Sequence, residues 1–149
     1  MVGFALIIII VAIILLVFLS IYLRNQSTTV VQSFEIQNFI LSFLQYTTDC
    51  QNNLEFLPIN KLISDCYIDN NMVCENGQNA CEVLKSSVKD IMDKSWNTNE
   101  GSMYKGYYLN IVINNESSML NISKGQTTAN YKESMQDFSN YRVYFRVYE

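Results

Sequence analysis

Histidine is absent from this 149-residue chain, and several other features common in enzymes are scarce. Without histidine the most frequent general acid–base group is missing, and with it the nucleophile triads built around it. Five glycines and one proline are present, and no Gly-rich phosphate loop or Walker pattern occurs among them. Charged residues make up 16% of the sequence with a net charge of −4. That balance leaves no basic patch for nucleic acid, so no nucleic-acid partner is expected. Asp49, Asp65, Asp69 and Glu75 are the carboxylates available for a pair, and they read as solvated surface. No catalytic set can be named. The sequence predicts a non-enzyme without cofactor or metal.

Charge is also missing altogether from residues 1–23, where Phe4 to Leu19 (FALIIIIVAIILLVFL) is unbroken apolar sequence. A helix of about 23 residues is roughly 35 Å long, enough to cross the hydrocarbon of a bilayer. Apolar on every face, it needs lipid or other apolar helices around it. A signal-peptide core would be shorter, about 7–15 residues, and followed by a small-residue cleavage site. Here Ser20 is followed by the bulky Ile21, Tyr22 and Leu23, so the segment reads as retained.

Four cysteines, Cys50, Cys66, Cys74 and Cys81, follow within a short window. Their spacings match no common zinc finger, and histidine ligands are lacking. Three N-x-S/T acceptors occur, at Asn25, Asn115 and Asn121. An even cysteine count together with sequons favours two disulfides in an extracytoplasmic C-terminal part. Four cysteines allow three connectivities; proximity alone points to Cys50–Cys66 with Cys74–Cys81. Arg24, directly after the apolar segment with no basic residue before it, would by the positive-inside rule place the C-terminal part in the cytoplasm. A short basic leader cleaved before Met1 would remove that conflict, and the sequence is read as a mature form.

Three regions are expected: an apolar membrane or filament-core helix at 1–23, an amphipathic continuation at 24–49 and a head at 50–149. Residues 24–29 (RNQSTT) hold no Gly or Pro, and from Val30 helical spacing resumes, with Val30, Phe34, Ile36, Phe39, Ile40, Leu41, Phe43 and Leu44 toward one side. One helix of about 45 residues, roughly 65–70 Å, is the simplest reading, with a hinge at 24–29 as the alternative. Pro58 suits the first turn of a short helix to Cys66. Residues 67–79 read as a loop; Asp69, Asn70, Asn71 and Glu75 lack the ligand alternation of an EF-hand. Asn79 and Glu82 form a capping box for a helix carrying Leu84, Val88, Ile91, Met92 and Trp96, the last read as packing. Then the period becomes two: Tyr107, Leu109, Ile111 and Ile113 share a face, Met119 to Ser123 is a short strand, and a further strand is expected near 127–131. ESMQDFSN reads as an irregular return. In the closing YRVYFRVYE, Tyr141, Val143, Phe145 and Val147 alternate with outward Arg142, Tyr144, Arg146 and Tyr148. That Arg/Tyr face suits a neighbouring subunit or a glycan.

GFALIIIIVAIILLVF, then FILSFLQYTTDC, then a head closing on YRVYFRVYE: this order resembles the type IV pilin superfamily, and within it archaeal pilin-like proteins with a class III leader. The bacterial branch matches less well, since Ile8, fifth from Phe4, stands where those pilins carry glutamate. The resemblance implies an α+β fold, a long N-terminal helix packed against a small disulfide-bonded head with short helices and an antiparallel sheet of three to four strands. It further implies a cell-surface filament used in adhesion, with the membrane as partner before assembly and further copies of the chain after it. Phe4, Leu6, Ile8, Ile10, Ile13, Leu16, Phe18 and Tyr22 would line the filament core. Glycans or surface receptors would meet the head. A single-pass anchored binding protein that does not polymerise is the competing expectation.

Overall fold

The computed structural model describes residues 8–21, 34–113 and 117–149. The elements are α1 (Val2–Leu44), β1 (Thr47–Asn52), β2 (Glu55–Pro58), α2 (Ile59–Ile68), α3 (Ala80–Ser95), β3 (Gly106–Ile113), β4 (Ser117–Gly125), β5 (Tyr131–Asp137) and β6 (Tyr141–Tyr148). The chain divides into two compact units, Met1–Phe34 and Glu35–Glu149.

The α+β class and the antiparallel pairing agree with expectation, but the long N-terminal helix packed against a head is corrected. Although α1 carries the bounds Val2–Leu44, the apolar helix described with its side chains spans only Ile8–Ile21. Among the described residues no helix is long and apolar enough to cross a membrane. Within the second unit, the end of α1 buries Ile36, Ile40, Phe43 and Leu44 in the core, with Phe39 packed against them; the i, i+4, i+7, i+8 spacing of the four buried residues forms one stripe. Phe34 and Leu41, expected on the same side, are exposed. The physical reason lies in what periodicity reports. It names the face that a segment would bury and not whether anything lies against that face. The expected hinge at 24–29 falls outside the described residues.

In the second unit, the four-stranded sheet has the order β4-β3-β6-β5, antiparallel throughout. Its inner face carries Tyr107, Leu109, Ile111 and Ile113 from β3 and Tyr141, Val143, Phe145 and Val147 from β6, all buried. Against it pack Leu62, Ile63 and Cys66 of α2, Leu84, Val88 and Met92 of α3, and the end of α1. Trp96 sits among Phe39, Tyr104 and Phe145, with ring centroids 4.9–5.3 Å away. Asn79 caps α3 as expected, its Oδ1 accepting from the amides of Cys81 and Glu82 at 2.9 and 3.2 Å.

Three strands correct the sequence reading. TTDCQN and EFLP form a separate antiparallel hairpin, β1–β2, whose first strand begins at Thr47 although the amphipathic helix was expected to continue to residue 49. Thr48 and Cys50 turn inward, and the Thr48 hydroxyl donates to Leu57 O at 2.7 Å. The chain reverses at Asn53 and Leu54, both with φ positive (51° and 66°). Likewise, the expected irregular return holds β5, which pairs with β6 from Tyr131↔Tyr148 to Asp137↔Arg142, and the strand expected near 127–131 begins only at Tyr131.

Candidate functional site

Two surfaces stand out, one in each unit. In the first, every described side chain from Ile8 to Ile21 is exposed. The large apolar ones range from 48% exposed at Ile10 to 73% at Phe18. Ile8, Ile10, Ile13, Leu16 and Phe18 of the expected core set therefore present apolar surface that is exposed among the described residues. Phe4, Leu6 and Tyr22 lie outside the described residues. No stripe is protected: exposure continues through consecutive residues, so the helix is apolar on all sides rather than amphipathic.

The second surface is the outward face of the four-stranded sheet. Strand alternation that buries Phe145 sends Arg142, Tyr144 and Arg146 the other way. Register then sets Tyr108 beside Arg146, Asn110 beside Tyr144, and Val112 beside Arg142. On the far side of β6, Glu133, Met135 and Asp137 stand opposite Arg146, Tyr144 and Arg142. Arg146 donates from Nε and Nη2 to Glu133 Oε2 at 2.9 and 2.6 Å, and Tyr144 Oη donates to the same oxygen. The Arg146 guanidinium also lies 4.2 Å from the Tyr131 ring centroid and 5.4 Å from that of Tyr144. Arg142 is matched by Asp137. Tyr108 meets Tyr144 edge-on at 6.0 Å, and Asn121 Nδ2 donates to Tyr108 Oη at 3.2 Å.

These contacts set the electrostatics. The hydrogen bond from Tyr144, and then that from Arg146, hold the Glu133 carboxyl below the usual carboxylate range. Burial pushes the Tyr144 hydroxyl up to about 12, and its bond to Glu133 adds to the effect. The face is consequently aromatic and polar, and each arginine carries its own carboxylate. At the sheet's other side, Tyr107 Oη reaches Asp93 of α3 at 2.8 Å, and Lys124 pairs with the same carboxylate at 2.7 Å. Lys124 and then Tyr107 lower Asp93. This trio ties α3 to β3 and β4.

The four cysteines are paired, but as Cys50–Cys74 and Cys66–Cys81, which corrects the pairing by proximity. Cys66 falls on the buried stripe of α2 with Ile59, Leu62 and Ile63, so it faces the first turn of α3 and Cys81. Cys50 turns inward on β1, and the chain returns beside that strand, Glu75 N donating to Gln51 O at 2.9 Å. Asp69 and Glu75 accept backbone amides, from Asn71 and Leu54. No group of three or more potential metal ligands occurs among the described residues. Asn121 is exposed on β4; Asn25 and Asn115 lie outside the described residues.

Sequence reading missed Tyr131, Glu133 and Asp137, the partners of the outward arginines. The signal was present: YKESMQD alternates, with acidic residues in register against the basic ones of YRVYFRVY. Its weakness is that an edge strand with no fully buried position lacks the apolar alternation by which strands are recognised. No protein-family model, curated protein or solved structure matches the chain.

Proposed function

We propose that the chain is a structural subunit of an extracellular, type IV pilus-like filament, assembled through its apolar N-terminal segment and serving attachment through its head. The observation that carries this reading is the uncovered apolar surface of Ile8–Ile21, which is exposed on all sides. Its twelve large side chains, each about half exposed or more, would gain on the order of 10–20 kcal/mol by leaving water. A single seam with one neighbour cannot cover a helix apolar all round, whereas several copies around it can. Where such contacts are head-to-tail and do not close, they yield a filament, which is the arrangement proposed here. Before assembly the same surface is satisfied by lipid, so transfer from membrane to filament relies on close packing and not on a hydrophobic gain. Two disulfides in the head support an oxidising, extracytoplasmic location. The role is structural and not catalytic.

The test is Ile13→Glu in the producing cell. A carboxylate in this segment is expected to abolish filaments seen by electron microscopy of sheared cell surfaces, because an unpaired charge in an apolar bundle is costly. Normal filament yield from the variant overturns the proposal. Wild-type chains recovered only as detergent-soluble monomers overturn it in favour of a solitary membrane tether.

A further inference from the structure

We infer that Asn121 carries an N-linked saccharide whose first sugar lies against Tyr108 on the outward sheet face. The inference rests on the reading above that the head is extracytoplasmic.

The sequence supplies Asn121-Ile122-Ser123, and the strand decides how these residues point. Alternation along β4 turns Ile122 inward onto the core and leaves Asn121 and Ser123 outward and exposed. The acceptor amide and the hydroxyl that accompanies it thus emerge on the same side. Within its sheet β4 has a strand on one side only, so a transferase approaching Asn121 displaces no neighbouring strand.

The surroundings suit a neutral, polyhydroxylated group. Asn121 Nδ2 lies 3.2 Å from Tyr108 Oη, and the Tyr108 ring leads on to Tyr144 at 6.0 Å. Asn110, cross-strand from Asn121, is engaged by the Ser118 hydroxyl at 2.6 Å. Both arginines of the face are already matched by Glu133 and Asp137. An anionic ligand would meet those carboxylates, whereas a sugar presents a C–H face to aromatic rings and hydroxyls to amides. In the transfer, a bond forms between the anomeric carbon and Nδ2 while the bond from that carbon to the phosphate of a lipid-linked saccharide breaks. Nδ2 gives up one of its two hydrogens, the proton ending on the transferase's base, and the lipid phosphate leaves. The remaining N–H still donates to Tyr108 Oη.

The test is peptide mass mapping of the protein from its native producer, alongside Asn121→Gln, Ser123→Ala and Tyr108→Leu. The peptide with Asn121 is expected to carry a saccharide mass that both sequon variants lose, although Ser123→Ala leaves the Asn121–Tyr108 contact intact. Tyr108→Leu is expected to keep the saccharide but speed its trimming by exoglycosidase roughly two- to tenfold, the equivalent of one aromatic contact. Unmodified Asn121 overturns the inference whatever Asn25 and Asn115 carry. Four free thiols in the same sample would overturn the extracytoplasmic reading as well. An unchanged trimming rate in Tyr108→Leu overturns the contact with the face.

Discussion

Disulfide connectivity gives the sharpest quantitative prediction for the head. The two bridges close segments of 24 and 15 residues, and restricting the unfolded chain over such lengths stabilises by about 3 kcal/mol each. In Cys66→Ala/Cys81→Ala one bridge is removed and Cys50–Cys74 stays intact, so the expected loss is about 3 kcal/mol with no free thiol. Cys50→Ala/Cys66→Ala takes one partner from each bridge, for an expected loss of about 6 kcal/mol and two titratable thiols. The truncation of buried side chains is similar in the two variants, so their difference isolates the second bridge. Denaturant unfolding of the full chain in detergent measures both. Trp96, the only tryptophan, is buried within the ring cluster and reports on the core by fluorescence. The reverse order, with Cys50→Ala/Cys66→Ala the more stable variant and free of thiols, would mean that Cys50 pairs with Cys66 and would refute the geometry.

Phe145→Ala, at a fully buried position touching Phe39 and Trp96, is expected to cost about 3–5 kcal/mol and to red-shift Trp96 emission. Glu133 has a lowered folded pKa, so its contribution is fully present above the unfolded value and is lost as pH falls through the folded one. Glu133→Gln should therefore flatten the fall in stability below about pH 4. Its side chain is 42% exposed, which limits the effect to under about 1 kcal/mol. Gly125 has φ +81°, and an added Cβ would lie 2.2 Å from Lys105 O and 2.7 Å from Gly106 Cα, both backbone atoms. Gly125→Ala is expected to lose at least about 2 kcal/mol in the same unfolding assay.

Much of the head was legible because its strongest signals are local. YRVYFRVY is a strand whose inward positions Tyr141, Val143, Phe145 and Val147 are buried as read, although Tyr148, expected outward, is buried too, and Asn79 announced the start of α3. The hairpin was hidden because its inward positions include Thr48, a polar residue made acceptable only by its bond to Leu57 O. Its turn was half-encoded: Asn53 suits a positive φ, whereas Leu54 does not. β5 was obscured by its edge position, and with it the acidic half of the outward face. The disulfide pairing failed because chain proximity says nothing about which way β1 and α2 turn their side chains. In the apolar segment the sequence identified the composition, but no periodicity within it could mark where helix and head part, since every face is alike.

Copies of the chain are proposed to cover Ile8–Ile21, and a photo-crosslinking residue in place of Ile13 tests this most directly. Illuminated on intact cell surfaces, it should yield a ladder of covalent multimers whose cross-linked peptides map to residues 8–21 of neighbouring chains. Adducts to lipid alone, with every chain remaining a monomer on a denaturing gel, would contradict the account.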